Sequence, residues 1–158
     1  MDNKKVEKAI IEVLRRAGHM QIATSSGKVP RSTTVWFSYD SDLNLYFMSR
    51  NDRRHSMDIY RNTLVAGSIV DPKYMKPGNA VRGITFQGVA KEAKGKDLEK
   101  AYIQYSKRFP IISDRIGLVE MSKGKTALRL FKVVPRCYAL FDEVDFVEQP
   151  LKELRLRG

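Results

Sequence analysis

Strand-forming runs with very short connections constrain this chain more than any other feature of its sequence. Arg31 to Tyr39 is rich in β-branched and aromatic residues and sets Thr33, Val35, Phe37 and Tyr39 on one face. Asp40-Ser41-Asp42 reads as a hairpin connection into Leu43 to Ser49, where Leu43, Leu45 and Phe47 alternate in turn. Two long strands joined by so short a turn pair antiparallel. Further strands are expected at Met20–Thr24, closed by the turn Ser25-Ser26-Gly27, and at Leu64–Val70, continuous enough for burial on both faces. Val81–Glu92 follows, with Gly83 and Gly88 marking bulges or close backbone approach. Thr126–Val134 and Arg136–Asp142 are the last two, interrupted at Pro135.

Helical segments are inserted among these strands and do not alternate with them. Lys4 to Ala17 places Val6, Ile10, Val13, Leu14 and Ala17 on one stripe and stops at Gly18. Asn51 or Asp52 is expected to cap a short helix running to about Arg61, with Met57 and Tyr60 spaced to touch the core. Lys96–Arg108 carries the stripe Leu98, Ala101, Tyr102 and Tyr105, and Ile111–Gly117 reads as one more short helix. Asp71–Asn79, with Pro72, Pro77 and Gly78, is a loop, and the tail from Glu143 is charged and poorly patterned. About seven strands against three or four helices indicate a mainly β (α+β) antiparallel barrel with helical decoration, not a doubly wound sheet. The expected organisation is a single domain over 1–158, with a helix at 4–17, a barrel at about 20–142 and a charged tail at 143–158.

Composition narrows the function classes. Hydrophobic residues make up 42% of the 158, an ordinary balance for a folded chain, and no run approaches the roughly 20 apolar residues of a membrane helix. The charged start, without an apolar signal core, makes the cytoplasm the expected location and no membrane partner is expected. One cysteine, Cys137, forms no internal disulfide, and with only His19 and His55 there is no zinc signature, so no metal is expected. The net charge of +11 is spread along the chain without a nucleic-acid motif, which favours a solvated basic surface over a polyanion-binding domain.

The densest chemistry lies at Tyr46-Phe47-Met48-Ser49-Arg50-Asn51-Asp52-Arg53-Arg54-His55-Ser56. A strand there delivers the chain to a helix start bearing two arginines and a histidine. Unpaired N–H groups of a first turn favour an anion, and arginine adds a fork of donors matched to phosphate. On these residues alone a solvated basic turn is an equal reading, and Asp52 is expected to cap the backbone. The hydroxyls of Ser32, Thr33 and Thr34 point to both faces of their strand, and Gln87 stands between Phe86 and Gly88. No carboxylate pair, serine elbow or phosphate loop is present, so the chain either only binds or borrows its chemistry from a cofactor.

In order and spacing, these segments resemble the FMN-binding split-barrel superfamily, the pyridoxamine-phosphate-oxidase-like proteins. The resemblance runs from about Met20 to Phe141 through Ile22-Ala23-Thr24, Pro30-Arg31-Ser32-Thr33-Thr34-Val35-Trp36-Phe37 and Leu45-Tyr46-Phe47-Met48-Ser49. It continues through Arg53-Arg54-His55, Leu64-Val65-Ala66-Gly67 and Arg82-Gly83-Ile84-Thr85-Phe86-Gln87-Gly88. Tyr105-Ser106-Lys107-Arg108-Phe109-Pro110 is similar to an uncharacterised subgroup. The resemblance implies a six- to seven-stranded split barrel and a homodimer with FMN at the interface. It places Ser32, Thr33, Thr34 and Val35 along the isoalloxazine, Met48 and Ser49 beside ring and ribityl chain, and Arg53, Arg54 and His55 at the phosphate. Gln87, from the second subunit, meets the polar edge of the flavin. Related barrels also take a deazaflavin or haem. The implied activity is a flavin-dependent oxidoreductase acting on a small substrate, with a binding module that turns nothing over as the alternative. The substrate-binding signature of true pyridoxamine phosphate oxidases is not visible in Lys152-Glu153-Leu154-Arg155-Leu156-Arg157-Gly158, so vitamin B6 oxidation is not expected.

Overall fold

Alternating burial along each strand sets the architecture of the computed structural model, which describes residues 2–156. Met1 and the last two tail residues, Arg157 and Gly158, lie outside the described residues. The strands are β1 (His19–Ser26), β2 (Val29–Tyr39), β3 (Leu45–Arg50), β4 (Leu64–Val70), β5 (Arg82–Glu92), β6 (Leu128–Asp142) and β7 (Leu151–Arg155). The helices are α1 (Asn3–Arg16), α2 (Arg54–Arg61), α3 (Lys96–Arg108), α4 (Ile111–Arg115) and α5 (Leu118–Ser122), with a 3₁₀ turn at Pro72–Tyr74. All strand pairs are antiparallel in the order β3-β2-β1-β4-β5-β6-β7, and β3 pairs again with β6, which closes the sheet on itself.

The expected strand count is right, but two of its members differ. Pro135 does not divide the last strand: β6 runs unbroken for 15 residues. One edge of β6 pairs with β5, while the other serves β3 over Leu128–Val133 and β7 over Cys137–Phe141. Pro135 falls where that second edge changes partner and where the β5 register shifts between Gln87 and Gly88, a site that tolerates a residue without an N–H. Gly88 is required there, because a Cβ would lie 2.3 Å from Val134 O and 2.8 Å from Pro135 Cα. The tail, expected to be unpatterned, supplies β7, whose alternation is hard to read because Leu154 is its only buried residue.

Two apolar clusters hold the elements. The barrel interior joins Ile22, Val35, Phe37, Phe47, Phe86, Phe131 and Tyr138 to Val6, Ile10, Val13 and Leu14 of α1. A second cluster lies on the outer side of β3 and β6, where Tyr46 and Leu130 meet Leu98, Ala101 and Tyr105 of α3 and Met121 of α5. Asp2 caps α1, and Arg108 of α3 closes its other end by donating to the carbonyls of Leu14, Arg15 and Ala17. Buried Arg82 ties α1 to the barrel through Glu12 at 2.9 Å, Asp145 at 2.6 Å and Asp142 at 3.2 Å.

Other expectations need correction. Leu43 belongs to the turn before β3, with φ 62°, in a loop held by Asp40, which accepts from the N–H groups of Asp42 and Asn44 and from Tyr46 OH. β4 buries only Val65 and Ile69; Gly67 between them has no side chain and faces Phe86, while Ala66 and Ser68 look outward. Met57 faces outward, 42% exposed, whereas Tyr60, though 49% exposed, sets its ring 5.9 Å from that of buried Phe131, and α2 packs chiefly through Ser56, Asp58 and Ile59. The helix expected over Ile111–Gly117 stops at Arg115, and α5 follows as a separate turn.

Candidate functional site

β2 and β3 pair at only three positions, Phe37 with Phe47, Ser38 with Tyr46 and Tyr39 with Leu45. Beyond Phe37 and Phe47 they part: β2 stays on β1 back to Val29, and Met48, Ser49 and Arg50 follow β6. A cleft opens between the lip Ser32–Trp36 and the lip Met48–Arg50. The Phe37 N–H donates the other way, to Gly18 C=O at 3.2 Å. Strand alternation therefore turns the backbone groups of Trp36, Thr34 and Ser32 toward the cleft, where no strand takes those of Thr34 and Ser32 among the described residues. Side chains alternate as expected, with Val35 buried and Thr33 half-buried on the inner face, and Ser32 and Thr34 exposed on the outer one.

The second lip runs straight into α2. The Arg50 carbonyl accepts from Ser56 Oγ at 2.7 Å and from the Arg53 N–H at 3.3 Å, which turns the chain into the helix. Asp52 is not the cap. Its carboxylate takes Arg50 Nε and Nη2 at 3.0 and 2.7 Å, while Arg53 occupies the cap position and no side chain closes the first turn. Arg53 and Arg54 are exposed and have no carboxylate within ion-pair distance among the described residues. Cations in a first turn oppose the helix dipole at about 0.3–1 kcal/mol each, a cost that a bound anion offsets. Ser49 Oγ and His55 Nε2 lie 2.7 Å apart. Burial and then Arg53 lower the His55 pKa against the opposing pull of Asp58, so the ring is held neutral.

The structure thus brings Ser49 and His55 together at the α2 start. Met48 turns the other way, into the second apolar cluster. Ser32 and Gln87 share a shallow depression of about 290 Å³ on the outer face, floored by Ala23, Ala66 and Ser68. Beside it lies a hollow of about 400 Å³ lined by Pro30, Leu64, Gln87 and Arg136. Two arginines missed from sequence belong to the same region. Arg31 reaches Asp58 at 3.1 Å, where Thr24 also donates. Arg129 is the cross-strand partner of Ser49 and lies 3.4 Å from Glu92, which also accepts from Tyr60 OH at 2.6 Å. The available signal was parity: Arg129 shares the inward face with Phe131 and Val133. Cys137 is half-buried, and burial raises its thiol pKa, so it is no thiolate nucleophile. Among the described residues no cluster of three potential metal ligands occurs, and no helix is long and apolar enough to cross a membrane.

No protein-family model matches the chain, and no curated protein is similar to it in sequence. Solved structures do match. A candidate pyridoxamine 5'-phosphate oxidase from Listeria innocua superposes with a TM-score of 0.63 at 20% identity, over 85% of this chain and 97% of that one. HutZ, the heme storage protein from Vibrio cholerae, gives 0.65 at 20% identity over 82% and 89%. A heme-binding protein from Mycobacterium smegmatis gives 0.75 at 12% identity, over 94% of this chain but only 58% of that protein's length. At such identities the likeness concerns architecture: the chain has the mainly β, antiparallel split-barrel fold of these structures.

Proposed function

We propose that this chain binds FMN in the cleft between β2 and β3 and works as a flavin-dependent oxidoreductase on a small substrate. The observation that carries the reading is the continuity of the site: a strand edge with unpaired backbone groups faces a second lip that leads into a helix start which no side chain caps and whose two arginines form no ion pair among the described residues. Arg53, Arg54 and the first-turn amides of α2 suit the phosphate, as donors with no competing acceptor. Ser49, held by His55, suits a ribityl hydroxyl. The free N–H and C=O groups of Ser32 and Thr34, with Thr33 and Val35 behind them, suit the polar edge of a planar heterocycle, and Met48 backs the second lip. FMN supplies reversible hydride and electron chemistry when bound, and the chain supplies placement and electrostatics. That division agrees with a site lacking a carboxylate pair or an activated thiol.

The same reading includes a homodimer. Ala23, Ala66 and Ser68 leave the outer face of β1 and β4 low and smooth, with Gln87 standing at its edge, and a second copy laid there would bring its Gln87 to the cleft. A purified preparation is expected to be yellow and to release FMN on denaturation; a colourless protein that takes up no added FMN sinks the assignment. Haem is the second reading, favoured by the two heme proteins of the same fold. A Soret band in place of flavin bands identifies it. Reduction of bound flavin by a nicotinamide and reoxidation by an acceptor separates an enzyme from a binding module.

A further inference from the structure

We propose that Tyr105 is the wedge that sets the width of the cleft between β2 and β3, and so positions a planar ring there. The proposal rests on the flavin reading for its ligand, but its geometry stands independently. In an antiparallel ladder, hydrogen-bonded pairs recur at every second position. Because Phe37 bonds toward β1, Ser38 with Tyr46 is one such pair, and Trp36 with Met48 is the next. That rung is not formed. In its place stands the hydroxyl of Tyr105, which donates to Trp36 C=O at 3.5 Å and has the backbone N–H of Met48 turned toward it.

One phenol oxygen therefore stands between the two halves of the missing rung. An oxygen lodged between the two backbones holds them further apart than the single N···O distance of about 2.9 Å that a rung needs, so the strands cannot zip past Phe37. The wedge is fixed from behind. Tyr105 is 4% exposed, packs among Leu98, Ala101 and Met121, and its ring centroid lies 5.0 Å from that of Phe109. Phe109 in turn meets Trp36 edge-on at 5.9 Å. Burial pushes the Tyr105 pKa up to about 12, with the Met48 N–H opposing, so the hydroxyl keeps its proton and remains a donor to Trp36. Without it, Trp36 C=O and Met48 N–H either lose their partner or bond each other and narrow the cleft by one rung.

Tyr105→Phe keeps the ring and removes the hydroxyl that stands in the rung. The expected result is a cooperative thermal transition, an affinity for riboflavin and FMN about tenfold weaker, and unchanged binding of inorganic phosphate, which needs only the α2 end. In amide NMR spectra the Met48 and Trp36 signals shift. Unchanged riboflavin affinity overturns the proposal, and so does equal loss of riboflavin and phosphate binding, which marks general damage. If the unsubstituted protein binds no flavin, the flavin reading fails and the amide shifts alone decide on the wedge. If the variant does not fold, hydrogen exchange in the unsubstituted protein decides: slow exchange at Met48, which no strand faces on that side, supports the wedge, and fast exchange rejects it.

Discussion

Arg53 and Arg54 stand where a helix dipole makes a cation costly, at a first turn that no side chain closes and without carboxylates of their own. Truncating Arg54 to Ala should therefore relieve the free protein slightly and weaken the complex. Loss of a charged hydrogen bond of about 1.5–3 kcal/mol corresponds to roughly a ten- to hundredfold rise in the FMN dissociation constant, readable by flavin fluorescence quenching. An unchanged constant would remove the phosphate from this turn. His55 gives a second residue-level expectation. Its pKa is depressed from 6.5 in the folded state, so the unfolded chain takes up the proton first on acidification. The stability that the neutral ring contributes is full above pH 6.5 and is lost as the pH falls through the lowered folded-state value. Urea midpoints at pH 7 and pH 5 should differ less in His55→Gln than in the unsubstituted protein.

At the level of elements, Gly88 is the sharpest test of how β5 and β6 fit. A Cβ there meets backbone on the facing strand, which does not move as a side-chain tip does. Gly88→Ala should cost about 1–3 kcal/mol or more, seen as a lower melting temperature. Gly88 and the β2 alternation were legible because a strand glycine and a two-residue period each have a single physical cause. The α1 stripe was legible for the same reason. The continuity of β6 through Pro135 was not, since it depends on which neighbour faces that residue and no local pattern encodes this. Asp52 misled by the same route: its residue type favours a cap, but Arg50 two positions away offered a bidentate partner. At the candidate site, the basic turn and the Ser49–His55 neighbourhood could be read from sequence. Arg129 showed only its inward parity, since its place beside Ser49 depends on the β3–β6 register, and Tyr105 showed nothing, because it joins the site through a helix packed from outside.

For the molecule as a whole, the open outer face is the feature that matters most. Small residues at Ala23, Ala66 and Ser68 leave a surface that a second copy can approach closely, and the dimer reading stands on that surface. Ala66→Arg should convert a dimer into monomers in sedimentation velocity and loosen the flavin at the same time. A monomer of the unsubstituted protein that still retains FMN would contradict the shared site. The closures on α1 have another consequence, for the order of events during synthesis. Arg108 seals the carbonyl end of the first helix, and Arg82 with Asp145 pins its middle, so its anchors lie 91 or more and 70 residues further along the chain. The helix is made well before the residues that anchor it and cannot dock fully until they follow. Its apolar stripe must wait, uncovered, until most of the barrel has been made.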